Sequence, residues 1–308
     1  MRPDELARAR FGTAELVAEH PPELRDARKR LLLELAWPPG YRPGGELEVT
    51  RWRARELSAA PGPGRAPEVE LRPGFFTYER VGEWHVNFAD THLFGFYGGP
   101  LMAQDELQVA EHPTLASLRE AMASAGGALA PLTCADGVAT PVLVRGAERR
   151  LAIDTTRGLY GNAFARATPA AIRAAVQILE PARPSWIIAM AAPPGGRGAY
   201  SRSELLECAQ TATTAFAAAR AETPAGQRAI VHTGNWGCGA FGGDRVLMIA
   251  VQLVAAELAG LDRLVLHAVA PEVWDAARAL AARLPRGREG LLDGLERAGF
   301  VWGQSDGN

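Results

Sequence analysis

The residues best suited to chemistry lie in a glycine-rich loop late in the chain. The segment Val231–Asp244, VHTGNWGCGAFGGD, places five glycines between a predicted strand and a predicted amphipathic helix. At such a junction, free backbone N–H groups and the helix dipole favour an anion, typically a phosphate or diphosphate. Glycine lets the backbone approach this ligand closely, and Asp244 is the expected N-cap residue of the helix. The loop therefore predicts a diphosphate site, although a tight structural turn has a similar composition.

One motif within the loop is typical of a different fold. Gly237, Gly239 and Gly242 match G-x-G-x-x-G, and Asp262 lies about twenty residues further on, as in dinucleotide-binding Rossmann domains. In that fold the acidic residue ends the second strand, whereas Asp262 precedes the predicted strand Leu264–His267. Only this one predicted strand follows the loop. We therefore interpret the loop as a diphosphate site outside the Rossmann fold.

The cysteines and histidines show no metal-binding pattern. The three cysteines, Cys134, Cys208 and Cys238, lie far apart, and their odd number argues against a disulfide framework. The six histidines show no metal-ligand spacing. A helix N-terminus can lower the pKa of a thiol such as that of Cys238, but the only base nearby in the sequence is His232. We expect neither a metal nor a cofactor, and interpret Cys238 as a packing or ligand-contacting residue.

The composition narrows the class of protein. The chain has 308 residues, of which 47% are hydrophobic and 22% charged, and its net charge is −2. These values predict a globular protein without the basic surface that binds nucleic acid. Its apolar runs are shorter than the roughly 18 residues of a membrane span, and the segment MRPDELARARFG lacks the apolar core of a secretory signal. We therefore expect a cytoplasmic protein, and its oligomeric state stays open.

Alternating strands and helices are expected to position the glycine loop. The N-terminal part, Glu5–Trp37, has helical spacing of apolar residues and predicts two helices, ended by Pro38. A loop is expected at 60–67 and a frayed tail at Gly303–Asn308. Strands are predicted near Leu47–Trp52, Val69–Leu71, Trp84–Phe88, Leu151–Asp154, Trp186–Met190, Ala229–His232 and Leu264–His267, and helices at Thr114–Ala123, Pro169–Leu179, Ser203–Ala221, Asp244–Ala259, Pro271–Arg283 and Glu289–Ala298. This pattern predicts an α/β sheet with helices on both faces.

Two segments together resemble a known family. Thr233–Asp244, TGNWGCGAFGGD, resembles the second signature of the poly(ADP-ribose) glycohydrolases, whose catalytic domain is an elaborated macrodomain. That family's first signature is V-D-F-A-N, a triple glycine and Q-E-E-I-R-F. The chain has VNFAD at Val86–Asp90, then THLFGFYGGPLMA, then QDELQV at Gln104–Val109, with the same spacing. AID at Ala152–Asp154 also resembles a family strand.

The resemblance implies an architecture and a function. It implies a macrodomain-like mixed sheet flanked by helices on both faces, with an N-terminal helical extension (1–60) packed on an ADP-ribose-binding and catalytic domain (61–308) that includes the C-terminal helices. It also implies an ADP-ribose glycohydrolase without a metal or cofactor, whose partner is ADP-ribose or an ADP-ribosylated substrate. No nucleic-acid groove or membrane contact is expected.

The resemblance also implies roles for individual residues. Glycoside cleavage needs an acid for the leaving oxygen and a base for the attacking water; Glu106 is expected to serve as both, and burial must then favour its protonated form. Asp105, on the opposite face of an expected strand, would orient the substrate or support the loop. The expected substrate contacts are Asn87, Asp90, Gly95 and Gln104 in the first signature and Gly234, Asn235, Trp236, Gly237, Cys238, Gly239, Ala240, Phe241 and Gly242 in the second.

The first signature departs from the family pattern, which leaves three functions open. The triple glycine corresponds to Phe94–Phe96, with Gly98 and Gly99 nearby, and the family's aspartate, asparagine and first glutamate correspond to Asn87, Asp90 and Asp105. The segment 131–145 has no counterpart of the family's adenine-stacking tyrosine. The chain is therefore expected to hydrolyse poly- or mono-ADP-ribosyl linkages, to bind ADP-ribose without turnover, or to act on another conjugate derived from NAD.

Overall fold

The computed structural model describes residues 3–54, 56–60 and 64–307. An eight-stranded mixed sheet runs through them, and β5 and β6 form a separate hairpin. The strands are β1 (Asp4–Gly12), β2 (Glu46–Arg53), β3 (Glu68–Arg72), β4 (Trp84–Ala89), β5 (Cys134–Ala135), β6 (Val138–Ala139), β7 (Val142–Ile153), β8 (Val176–Ala191), β9 (Ile230–Thr233) and β10 (Arg263–His267). Their order across the sheet is β1-β2-β7-β8-β4-β9-β10-β3, antiparallel from β1 to β8 and parallel from β8 to β3.

Helices cover both faces of this sheet. They are α1 (Thr13–Glu19), α2 (Ala27–Ala36), α3 (Gln104–Glu111), α4 (Thr114–Ala125), α5 (Pro169–Ala175), α6 (Arg202–Glu222), α7 (Arg245–Ala259), α8 (Pro271–Arg283) and α9 (Arg288–Ala298). Along β8, Ile188 and Met190 pack in a core with α6 to α9, whereas Ile187 and Ala189 pack in a second core with α4. Successive side chains of a strand point to opposite faces, so the predicted α/β sheet with two covered faces is confirmed. Among the described residues, no helix is long and apolar enough to cross a membrane.

The first predicted helix is wrong in its N-terminal half. Residues 4–12 form β1, which pairs antiparallel with β2. Arg8 in this strand forms ion pairs with Glu48 and Glu222, and these long-range contacts override local helix propensity. The description of residues 1–60 as a helical extension is corrected accordingly, since β1 and β2 belong to the central sheet. Helix α2 ends at Ala36, before Pro38, as predicted.

Two further boundaries differ from the prediction. The helix expected at Pro169–Leu179 ends at Ala175, because the chain from Val176 pairs with β7 as the long strand β8. The tail expected to fray lies against the glycine loop instead, and the Gly303 N–H donates to the Gly242 carbonyl at 2.7 Å. Residues 61–63 of the predicted loop at 60–67, and Asn308 of the tail, lie outside the described residues.

Strands β4 and β9 bring the two signatures together. They are parallel neighbours in the sheet, with Trp84 opposite Val231. Both therefore end at the same edge, where the loop 90–103 follows β4 and the glycine loop follows β9. In sheets of this kind, ligands bind outside the carboxyl ends of the strands.

Candidate active site

The Gln104 side chain attaches helix α3 to the end of β4. The Gln104 Oε1 accepts the Phe88 N–H at 2.7 Å, and its Nε2 donates to the Val86 carbonyl at 3.0 Å. The amide is thus engaged with the backbone of β4, which sets the position of the two acidic residues that follow. A contact between Gln104 and the substrate stays a prediction.

Asp105 and Glu106 lie in the first turn of α3, so the strand expected there is wrong. The Glu106 Oε2 accepts the N–H of Ala103, the N-cap residue, at 2.9 Å, an interaction typical of a helix start. Its Oε1 forms no hydrogen bond within the described residues. Both side chains are buried, with 6% exposure for Asp105 and 3% for Glu106, and both line one cavity.

Asn87 forms a hydrogen bond with Asp105 inside the protein. This fully buried side chain donates to the Asp105 Oδ1 at 3.0 Å. Burial first, and then the charge of Glu106, raise the pKa of Asp105 well above its usual range, whereas the Asn87 hydrogen bond and the Lys29 charge oppose this rise. Asn87 therefore contacts a carboxyl group of the site, and a contact between Asn87 and the substrate stays a prediction.

The loop 90–103 does not reproduce a ligand-facing triple glycine. Phe94 has a positive φ of 51°, and Gly95 packs against His92, where a Cβ atom would lie 3.1 Å from the His92 carbonyl oxygen. The Gly98 carbonyl accepts the N–H groups of Arg25 and Asp26 at 3.0 Å, so Gly98 packs on the N-terminal segment. Asp90, by contrast, lines the cavity of Glu106.

The glycine loop is anchored by Trp236. Its indole N–H donates to the Met190 carbonyl at 3.0 Å, and its side chain is fully buried. Asn235 donates to the Ala268 carbonyl at 3.0 Å, while its Oδ1 is buried without a partner among the described residues. Gly234 packs closely on the His267 carbonyl. These residues hold the start of the loop and leave one polar atom at the cavity wall.

The middle of the loop folds back on itself and presents amide groups. Gly237 and Gly242 have positive φ values of 73° and 66°. Within the part of the chain that the structure describes, the N–H groups of Gly239, Ala240 and Phe241 donate to no acceptor, as an anion site requires. Helix α7 begins directly after the loop, and its N-cap prediction is confirmed, because the Asp244 carboxylate accepts the Leu247 N–H at 2.9 Å.

Cys238 does not have the low pKa that a helix N-terminus can produce. Burial raises the pKa of its thiol to about 12, and the nearby Arg245 charge lowers it only in part. The thiol donates to the Trp236 carbonyl. It is therefore a neutral packing group at physiological pH.

Two adjacent cavities surround these residues. The smaller, of about 380 Å³, is lined by Asp90, Asp105 and Glu106 and by the glycine-loop residues Trp236, Gly237, Gly239, Ala240 and Phe241. The larger, of about 710 Å³, extends from Gly234 and Asn235 towards Phe76 and the end of β7. The residues common to both are Phe88, Gln104, Tyr160, Gly239 and Asp306. Residues of both signatures thus line the smaller cavity, whereas the predicted contacts Asn87, Gly95 and Gly242 line neither cavity.

Two residues of this region were missed by the sequence analysis. Asp306 places its carboxylate 3.4 Å from the position that a Cβ atom on Gly239 would take. No motif in the C-terminal sequence predicts that Asp306 lies beside the glycine loop. Lys29 lies behind α3 with 3% exposure. The sequence does distinguish this residue, because it is the only lysine in a chain with 33 lysine and arginine residues. Among the described residues, no cluster of three His, Cys, Asp or Glu side chains is arranged to hold a metal ion.

Part of the chain matches a known protein family. Residues 160–272 match the family model described as poly(ADP-ribose) glycohydrolase, macro domain fold. The predicted resemblance to the poly(ADP-ribose) glycohydrolases is confirmed for this segment. No curated protein matches the chain.

Solved structures of bacterial poly(ADP-ribose) glycohydrolases are similar to the chain at low identity. One from Thermomonospora curvata has 16% identity and a TM-score of 0.47, covering 84% of this chain and 99% of its own. One from Deinococcus radiodurans in complex with ADP-ribose has 13% identity and a TM-score of 0.41, covering 96% of both chains.

Proposed function

We propose that the protein is an ADP-ribose glycohydrolase that cleaves a ribose glycosidic bond in poly(ADP-ribose) or in a mono-ADP-ribosylated target. The observation that carries this proposal is the shared cavity, in which Glu106 and the free amide groups of the glycine loop line the same space. The family match over residues 160–272 supports the same class of enzyme.

The two cavities divide the substrate between them. The diphosphate binds at the N–H groups of Gly239, Ala240 and Phe241, where the helix dipole of α7 adds to the attraction. The ribose that carries the scissile bond then lies beside Glu106 in the smaller cavity, and the nucleoside occupies the larger one. Such positioning lowers the barrier because the reacting groups are held in place before reaction.

Glu106 performs both proton transfers. It first donates a proton to the leaving oxygen as the bond to the anomeric carbon breaks through an oxocarbenium-like transition state. Its carboxylate then accepts a proton from the water that attacks the same carbon, which restores the starting state. Ala103 holds one oxygen of the carboxyl group during this cycle.

Calorimetry with ADP-ribose and hydrolysis of ADP-ribosylated protein test the proposal. The parent should bind ADP-ribose and release it from substrate, whereas Glu106→Gln should bind but lose turnover. Glu272→Gln, on the exposed face of α8, is the matched control. Turnover by Glu106→Gln at the parental rate would remove Glu106 from its role, and absence of binding at millimolar ADP-ribose would refute the proposal.

Binding of ADP-ribose without turnover is the second candidate. It is favoured by the loop 90–103, in which Gly95 packs against His92 and lines neither cavity. A protein of this kind would bind ADP-ribose tightly and leave all substrates intact. Cleavage is assayed on substrates in which ADP-ribose is linked to another ribose, a carboxylate, a hydroxyl or a nucleobase. Cleavage of any of these linkages distinguishes a hydrolase, including one that acts on another conjugate derived from NAD, from a protein that only binds.

A further inference from the structure

Phe96 lies between the cavity of Glu106 and a third depression. It is the last residue of the segment that stands where the family pattern has three glycines, and its side chain is 53% exposed. Phe96 and Leu101 line the smaller cavity, and both also line a depression of about 310 Å³, here called the outer groove. Its other lining residues are Arg25, Asp26, Gly99 and Pro100. The outer groove is therefore adjacent to the cavity that holds the candidate acid.

Hydrogen bonds join the two walls of the outer groove. One wall is the loop 90–103, and the other is the segment that leads into α2. The Gly98 carbonyl accepts the N–H groups of Arg25 and Asp26 at 3.0 Å, and the Tyr97 hydroxyl accepts the Glu23 N–H at 2.6 Å. The two walls are thus held together by the chain itself, without a ligand.

The outer groove carries an exposed cation and an exposed aromatic ring. Arg25 is exposed, and no carboxylate of the described chain forms an ion pair with its guanidinium group. The Asp26 carboxylate, by contrast, accepts the Arg28 N–H at 2.8 Å and pairs with the Arg28 side chain at 3.1 Å. A guanidinium group is suited to a phosphate, and an aromatic ring to the stacking of a base. The outer groove thus offers the two contacts by which a nucleoside diphosphate is held.

We propose that the outer groove binds the leaving group of a polymeric substrate, with its adenine base on Phe96 and its diphosphate at Arg25. This inference rests on the proposed function and names poly(ADP-ribose) as the preferred substrate. In the polymer, the leaving oxygen belongs to the ribose of the next ADP-ribose unit, which carries both a base and a diphosphate. A modified protein side chain carries neither, so it gains nothing from these two contacts.

The leaving unit departs intact as an alcohol. When the bond between its oxygen and the anomeric carbon breaks, that oxygen takes the Glu106 proton. The attacking water then gives its oxygen to the anomeric carbon and one proton back to Glu106. The released unit leaves past Phe96, which lines the smaller cavity and the outer groove alike.

Binding of a ligand with two ADP-ribose units tests the subsite without turnover. In a Glu106→Gln background, calorimetry should show that this ligand binds about tenfold more tightly than ADP-ribose. Phe96→Gly, which introduces the family's residue, and Phe96→Leu, which keeps an apolar side chain without a ring, should both abolish this advantage. Phe96→Trp should keep it, as should Val81→Gly, which alters an apolar residue with 64% exposure outside the three depressions.

Two results of this experiment have different meanings. Equal affinities of the two ligands in the Glu106→Gln background would overturn the inference and leave the proposed function standing. Absence of ADP-ribose binding would refute the proposed function, and the inference with it.

Salt dependence tests the role of Arg25. The advantage of the two-unit ligand should fall as the salt concentration rises, because salt weakens a contact between a cation and a phosphate. Arg25→Met should reduce the advantage by about threefold at low salt and make it less sensitive to salt. Arg278→Met, which removes an exposed arginine of α8, is the matched control. An unchanged advantage in Arg25→Met would remove the diphosphate from this groove.

Turnover of two substrates provides an independent measurement. Phe96→Gly should lower kcat/KM for poly(ADP-ribose) by about tenfold more than for a mono-ADP-ribosylated protein, because only the polymer places a base on the ring. Equal losses on both substrates would mean that Phe96 only shapes the cavity of Glu106, and would contradict the inference.

Discussion

The Asn87 side chain donates to the Asp105 carboxylate at 3.0 Å. These are two of the positions at which the first signature departs from the family pattern, and they face each other. A carboxylate in place of Asn87 would meet that of Asp105 in a buried site, where like charges oppose ionisation. The two departures are therefore compatible as a pair, and they leave the adjacent Glu106 in the cavity.

Asp105→Asn should stabilise the protein at neutral pH. The pKa of Asp105 is raised in the folded state, first by burial, so folding takes up a proton and stability falls as pH rises above the unfolded pKa of about 4. The amide does not titrate, so its advantage over the parent should grow from pH 4 to pH 7. Urea unfolding across this range measures it, and an advantage that shrinks with rising pH would contradict the assignment.

Gly239→Val should block the junction of the two cavities without harming the fold. A side chain there points towards Asp306 at the shared wall, so ADP-ribose affinity should fall by about tenfold or more, about 1.4 kcal/mol. Gly237→Val is the structural counterpart, because Gly237 has positive φ and a Cβ atom would lie 2.6 Å from that of Ala192. That variant should lose about 3 kcal/mol of stability or more.

Calorimetry and thermal unfolding of both variants distinguish these effects. Equal losses of stability in the two would show that Gly239 is structural. Undiminished affinity in Gly239→Val would place the diphosphate elsewhere.

Cys238→Ser should keep turnover within about a factor of two, because a neutral thiol is a poor nucleophile. The thiol is held in this form by burial, which raises its pKa to about 12. Steady-state kinetics measure the rate, and mass spectrometry after iodoacetamide treatment at pH 8 should find Cys238 unmodified. Loss of turnover in a folded Cys238→Ser variant would show that the Cys238 thiol takes part in the reaction.

The sequence predicts the parts of the site that depend on local pattern. Neighbouring residues determine the strand before the glycine loop, the Asp244 cap and helix α7. The parallel pairing of β4 with β9 then places the end of β4 beside the glycine loop. By contrast, β1 depends on pairing with β2, about 40 residues away along the chain. The ion pair between Arg8 and Glu48 joins the same two strands. The helix at Glu106 could not be predicted from so short a motif; there the Glu106 carboxyl group accepts the Ala103 N–H and stabilises the start of α3.

Asp306→Asn should strengthen binding of ADP-ribose. The tail is held by the stacking of Trp302 on Tyr200 at 4.1 Å and by the hydrogen bond from Gly303 to Gly242, which place the Asp306 carboxylate at the wall of both cavities. This carboxylate repels a diphosphate at the Gly239 amide, so its removal should tighten binding by about threefold to tenfold at low salt, and less at high salt because the repulsion is screened. Asp275→Asn, on the exposed face of α8, should leave affinity unchanged. Weaker binding by Asp306→Asn would instead mean that the carboxylate accepts hydrogen bonds from the ribose hydroxyls.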